Sequence, residues 1–189
     1  MCREYSVSEA KSAIRARIRT LRESSVGCDS SPVVRRIREL DLWKQASTVL
    51  LYHPMKGEVD LGALFRSPGK RIALPLVEGD DLLLKEYVPG TLVRGYAGIM
   101  EPPVSAPDIE PSEIDFAIIP GVAFDPMCHR LGRGRGFYDR LLTGLQCPLA
   151  GVAYSWQMVE AVPTDPWDIS LDLVVTESEC YSSNIYTSD

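Results

Sequence analysis

Residues 129–142 read HRLGRGRGFYDRLL. Gly132, Gly134 and Gly136 alternate with Arg133 and Arg135, and Arg130 stands just ahead of them. Glycine lets a backbone approach a ligand closely or turn through positive φ. Arginine grips phosphate or carboxylate oxygens with a planar fork of donors. The apolar spacing that follows predicts a helix over residues 136–145. A helix start presents free N–H groups and partial positive charge, which suit phosphate. Asp139, just inside that helix, could share a magnesium ion with phosphate oxygens, because Mg²⁺ usually takes one or two carboxylates plus phosphate. The run is neither a Walker A loop nor a dinucleotide-binding fingerprint: it lacks Gly-Lys-Ser/Thr, and its third glycine comes too early. Read alone, it is equally well a basic surface turn with Asp139 as a helix-terminal charge.

A second basic series lies near the start. In SVSEAKSAIRARIRTLRE, Ser6 and Glu9 form a capping box. Ala10, Ile14, Ile18 and Leu21 recur at helical spacing and should face the core. Lys11, Arg15, Arg19 and Arg22 follow the same period, at about 100° per residue, and make a stripe beside the apolar one. Such a stripe is either a solvated face or one whose Lys11 and Arg15, at the edge of the buried face, reach into a cleft.

The elements that must position these groups alternate. SPVVRRIRELDLWKQ predicts a second helix with Pro32 near its first turn. STVLLYH predicts a buried strand, LGALF a short helix, and RIALPLV and LLLKEYV two strands joined by a hairpin turn at Gly79-Asp80-Asp81. EPPVSAPDIEPSE is a proline-rich surface loop. IDFAIIP is a strand, followed by a loop of roughly 15 residues, long enough to suggest function. After the helix at residue 136 come a strand in LAGVAYS, an irregular VPTDPWDIS and a final strand LDLVVT. Apolar runs alternating with helices predict an α/β fold whose mostly parallel sheet is covered on both faces. In such folds ligands collect at the carboxyl ends of the strands, where the glycine loop begins.

The chain has 189 residues, 45% hydrophobic and 24% charged, with a formal net charge of −6. That length suits one domain, residues 1–189. An acidic chain is a poor general nucleic-acid binder, so its basic clusters should be aimed at small anions. No apolar run reaches membrane-spanning length, and no secretory h-region is present. Five scattered cysteines without a CxxC pair fit a reduced cytoplasm better than disulfides or zinc.

Residues 120–140, PGVAFDPMCHRLGRGRGFYDR, resemble the signature PGLAFDxxGxRLGxGxGYYDR of the 5-formyltetrahydrofolate cyclo-ligase (5,10-methenyltetrahydrofolate synthetase) family. The resemblance extends to KSAIR at 11–15, LLYHPMKGEVD with its Glu58, GIMEP at 98–102 and VPTDPWDISLDLVVTE at 162–177, all in the family's order. Cys128 replaces a signature glycine and Phe137 a tyrosine. A non-glycine residue would be strained if that position needs positive φ.

The resemblance implies a three-layer α/β/α fold like that of ribose-phosphate isomerase and CoA-transferase proteins. It implies an ATP- and Mg²⁺-dependent ring closure of 5-formyltetrahydrofolate to 5,10-methenyltetrahydrofolate, through a phosphorylated formyl group, with ADP and phosphate released. Carried over residue by residue, it gives Lys11, Arg15 and the run Arg130, Leu131, Gly132, Arg133, Gly134, Arg135, Gly136, Phe137 and Tyr138 to ATP. It gives His53, Glu58 and residues 133–137 to the folate, Arg133 and Arg135 to charge stabilisation, and Asp139 and Asp168 to the metal. The partners it implies are small molecules, with a monomer or weak dimer as the working unit. Each residue keeps a bland alternative: Glu58 as a helix-start charge, His53 as a structural histidine, Tyr96 as packing, Asp168 as a loop aspartate. Two other readings of the whole stay open: a phosphosugar isomerase-like enzyme on the same fold, and a binding module without catalysis.

Overall fold

A computed structural model describes residues 6–25 and 27–183; Cys2 lies outside them. Helix α1 spans Val7–Ser24, and its capping box forms as expected: Ser6 N–H donates to Glu9 Oε2 at 2.9 Å, and Glu9 N–H donates to Ser6 Oγ at 3.3 Å. The expected second helix is two. α2 covers Ser31–Glu39 and α3 covers Asp41–Gln45. Leu40 between them is extended (φ −62°, ψ 135°) and so ends one helix while beginning the next. No glycine or proline marks that break. The bend lets Val33, Val34, Ile37 and Trp43 all bury in one core.

Eleven short strands follow among the described residues: β1 Thr48–Leu50, β2 Arg71–Glu78, β3 Asp81–Glu86, β4 Val93–Arg94, β5 Met100–Glu101, β6 Phe116–Ile119, β7 Ala123–Phe124, β8 Arg130–Leu131, β9 Leu149–Val152, β10 Leu173–Val175 and β11 Cys180–Ser182. Helix α4, Phe137–Leu142, follows β8. LGALF supplies only a 3₁₀ turn, Gly62–Leu64. The main sheet has seven strands in the order β11-β10-β9-β6-β1-β2-β3. β10, β9, β6, β1 and β2 run parallel, while the edge strands β3 and β11 are antiparallel. β2 and β3 meet in the expected hairpin across Gly79-Asp80. LDLVVT is not the last strand: β11 pairs outside it.

Alternation along the inner strands explains the layers. Val49, Leu51, Phe116 and Ile118 face one core with α2 and α3. Leu50, Ala117, Ile119 and Val174 face another with Leu141 and Leu142 of α4. Both faces are therefore apolar, which makes these strands read as continuous runs. The mostly parallel sheet covered on both faces is the architecture expected from the sequence.

The chain leaves β1 toward β2 on one side, and β6 lies on the other side of β1, next to β9. Order thus reverses between β1 and β6, which opens a crevice beyond their carboxyl ends. The long loop after β6 is not structureless. It forms the β7–β8 hairpin, and Ala123 and Leu131 pack with Ile18 of α1, Val159 and Val162 in a third core. That core fixes α1 against the crevice. The hairpin turns at Cys128, whose φ is 65° and whose side chain is fully buried. The position where the family signature has glycine is left-handed backbone here.

Candidate active site

Two cavities adjoin the crevice. The first, of ≈ 320 Å³, lies between the ends of β1 and β6, the β4–β5 arm and the glycine loop. Its walls include Tyr52, Val77, Leu82, Tyr96, Ile99 and Phe137. The second, of ≈ 410 Å³, runs along α1 and carries Arg15, Arg19 and Arg22 with Trp156 and Gln157. Glu58 and Arg133 line both. Arg133 Nη2 donates to Glu58 Oε1 at 2.6 Å, so this ion pair stands in the shared wall.

Glu58 is placed by a tight turn. Met55 N–H donates to its Oε2 at 2.9 Å, and its own N–H donates to Met55 O at 3.0 Å. Gly57 in that turn has φ 81°, and the Arg22 stem occupies the space a Cβ would need. The turn therefore docks on α1 only with glycine there. Burial, and then the charge of Glu58, push the hydroxyls of Tyr138 and Tyr52 above their ordinary range. Both remain neutral hydrogen-bonding groups at physiological pH.

The glycine loop is held from beneath. Arg15 Nε donates to Gly132 O at 2.9 Å. Gly134 and Gly136 have φ of 93° and 71°, as the loop's composition predicted. Gly132 does not, but Arg130 packs where its Cβ would stand. The buried Arg130 guanidinium is bonded to Asp139, donates to Pro120 O at 3.3 Å and lies 5.7 Å from the Tyr138 ring centre. Its Nε is buried without a partner. Arg135 sits over Tyr96 at 5.8 Å, and Tyr96 meets Phe137 edge-to-face at 5.6 Å. These aromatic contacts rim the first cavity. His53 lines it too, with its ring 6.1 Å from Phe65.

Lys11 and Asp168 come together. The buried Lys11 ammonium binds Asp168 and also Asp165 Oδ2 at 2.7 Å. Asp165 N–H donates to Asp168 Oδ2 at 2.8 Å. Burial acts to raise the Asp168 pKa, but Lys11 and the Asp165 amide outweigh it, and the carboxyl lies below its ordinary range. Lys11 is likewise raised: its two carboxylate partners outweigh the effect of burial. Lys11 and Asp168 line neither cavity. Nor does Leu131, whose side chain belongs to the third core, while its carbonyl accepts from Val122 N–H at 2.7 Å. The Leu131 side chain is therefore used in packing and its carbonyl in strand pairing.

Among the described residues no three His, Cys, Asp or Glu side chains gather as a metal cage. Asp139 and Asp168 each have one carboxylate oxygen bound to a cation and the other without a hydrogen bond. The described residues thus offer no cage made by protein alone, and a magnesium ion bound to either carboxylate would need phosphate oxygens and water to complete its shell.

Sequence reading missed several residues. Arg19 and Arg22 belong to the second cavity, and their helical spacing after Arg15 was the available signal. Asp165 shares Lys11 with Asp168 at i, i+3 in an irregular loop. Trp156 brings a buried indole N–H without a partner to the second cavity. Glu101 is buried in the first cavity, and burial raises its pKa. GIMEP entered the sequence reading as part of the family resemblance, with no site role for Glu101.

Residues 7–177 match the model of the 5-formyltetrahydrofolate cyclo-ligase family. The 5-formyltetrahydrofolate cyclo-ligase of Escherichia coli is 37% identical over 147 residues, which cover 72% of this chain and 81% of that protein. That of Haemophilus influenzae is 32% identical over 185 residues, 89% of this chain and 98% of that one. The solution structure of Aquifex aeolicus 5,10-methenyltetrahydrofolate synthetase superposes with a TM-score of 0.82 at 38% identity and covers 95% of both chains. Matched along nearly its whole described length, the chain belongs to the 5-formyltetrahydrofolate cyclo-ligase family of enzymes.

Proposed function

We propose that this chain closes 5-formyltetrahydrofolate to 5,10-methenyltetrahydrofolate at the expense of ATP, releasing ADP and phosphate. The observation that carries this reading is the pair of unlike cavities meeting at Glu58 and Arg133. An aromatic, mostly apolar cavity suits a pterin ring. A cavity lined by four arginines, Arg15, Arg19, Arg22 and Arg133, suits a polyphosphate. Substrates placed in each would meet where phosphoryl transfer must happen.

The chemistry asks for positioning and charge stabilisation, not for a protein nucleophile. A formyl oxygen on nitrogen is a poor leaving group. Transfer of the terminal phosphoryl group of ATP to that oxygen makes it a good one. The lone pair of folate N10 attacks the formyl carbon, N10 gives up its proton, and the carbon–oxygen bond breaks to release phosphate. Arg133 and Arg135 face the charge that develops on the transferred group. Arg15 and Arg130 hold the loop beneath it. Glu58 accepts from ring N–H groups of the pterin and so sets its orientation. Asp139 and Asp168 would hold magnesium, which neutralises phosphate charge when bound.

The reading implies a soluble enzyme of the cytoplasm acting on small molecules; no described helix is long and apolar enough to cross a membrane. Phosphate release tests it. Phosphate should form from ATP only when 5-formyltetrahydrofolate is present, in one-to-one ratio with methenyl product. ATP hydrolysis at the same rate without folate would overturn the reading.

A further inference from the structure

Glu58 serves two masters in this site. Its side chain is only 9% exposed, its Oε2 is taken by the Met55 amide, and its Oε1 is taken by Arg133. A ligand N–H seeking this carboxylate must contend with the guanidinium. Arg133 is the movable partner: its side chain is 41% exposed, and it stands between Gly132 and Gly134, the latter with φ 93°. Among the described residues its guanidinium has no other hydrogen-bond acceptor. Both residues line both cavities.

We propose that the Glu58–Arg133 ion pair is a latch that couples the two binding sites. This rests on the placement of folate and nucleotide given above. In the ligand-free enzyme Glu58 ties the Arg133 guanidinium into the wall shared by the two cavities. Donors of the bound pterin replace the guanidinium on Glu58, so the buried carboxylate is never left without a partner. The released Arg133 turns toward the polyphosphate. Glu58 is thus a positioning residue for Arg133 as well as a contact for the folate. The consequence is thermodynamic: each ligand tightens the other by the same factor, because coupling between two sites is reciprocal.

Titration calorimetry with Mg²⁺ and a non-hydrolysable ATP analogue, with and without saturating 5-formyltetrahydrofolate, measures that factor. In the wild type, folate should tighten the analogue by about 5- to 10-fold, at the low end of ordinary couplings. In Glu58→Gln, which keeps the shape and removes the charge, the analogue should bind more tightly than to the wild type without folate, and the coupling should fall to about 1-fold. In Arg133→Gln the coupling should also vanish, whatever the basal affinity, and this variant keeps the test open should Glu58→Gln fail to fold. A wild-type coupling of about 1-fold, weaker analogue binding in Glu58→Gln, or coupling that persists in Arg133→Gln overturns the latch. Failure of the reading beneath it looks different: then neither ligand binds, or no methenyl product forms.

Discussion

Arg133 reaches from a glycine-flanked loop to a carboxylate 75 positions earlier. Arg133 is half-exposed, but it pairs with the buried Glu58 carboxylate, so Arg133→Ala should lower the melting temperature measurably while leaving the fold intact. It should raise the KM for ATP or folate and lower kcat, with a combined loss on the order of 10²- to 10³-fold, the scale for removing one charge-stabilising donor. Wild-type kinetics would remove Arg133 from the mechanism. Asp139→Asn tests the metal carboxylate. It keeps the shape but weakens both the bond to Arg130 and any hold on magnesium, so the magnesium concentration for half-maximal rate should rise several-fold or turnover should cease. An unchanged magnesium titration would make Asp139 an anchor for Arg130 alone. The types and spacing of the loop residues announced an anion site. That Glu58 would meet Arg133 could not be read from spacing, because only the parallel pairing of β1 with β6 brings the segments that follow them to the same end of the sheet.

Elements position the site through a few shared joints. The first joins α1 to the loop at 165–168 through Lys11, Asp165 and Asp168. Asp168 is depressed below its ordinary 3.8, so its contribution to stability is present above that pH and is lost as pH falls through the lower folded value. Lys11 is raised above 10.5, so its contribution is complete below that pH and is lost as pH climbs past the higher folded value. The joint should therefore hold from about pH 4 to pH 10. Thermal melts of the wild type should fall more steeply below pH 4 than those of Asp168→Asn, and parallel curves would contradict the coupling. The second joint is the β7–β8 hairpin. Cys128 holds left-handed backbone there, which costs a non-glycine residue about 1–2 kcal/mol. Cys128→Gly should stay within about 1 kcal/mol of the wild type, as relief of strain offsets lost burial. Cys128→Val should lose about 2 kcal/mol, since a branched side chain tolerates that backbone poorly. Urea melts that rank valine above glycine would refute the argument. Burial also pushes the Cys128 thiol up to about 11, so alkylation of native protein at pH 8 should favour exposed Cys28. Long apolar runs made the central strands legible. The hairpin and β11 were not, because two- and three-residue strands carry no period. Nor was the break at Leu40, which tertiary packing sets without a breaker residue.

At the scale of the molecule, a chain of net charge −6 gathers arginines around one crevice. The parallel core and covered faces were readable from alternating apolar runs and helices. The division of the crevice into two cavities was not, since it depends on how α1, the β4–β5 arm and the glycine loop close around the ends of β1 and β6. On the proposed reading each cavity has its own ligand. Mg–ATP and 5-formyltetrahydrofolate should each raise the melting temperature, because a ligand that binds only native protein stabilises it. Sugar phosphates should do much less, and an equal response to them would favour a phosphosugar enzyme on this fold. The most direct measurement mixes the protein with 5-formyltetrahydrofolate, ATP and Mg²⁺ and follows the near-ultraviolet absorbance of the methenyl product. The account predicts a rise that needs ATP and stops when a chelator removes magnesium. Folded protein that binds both ligands yet gives no rise, or a rise indifferent to ATP, would contradict it.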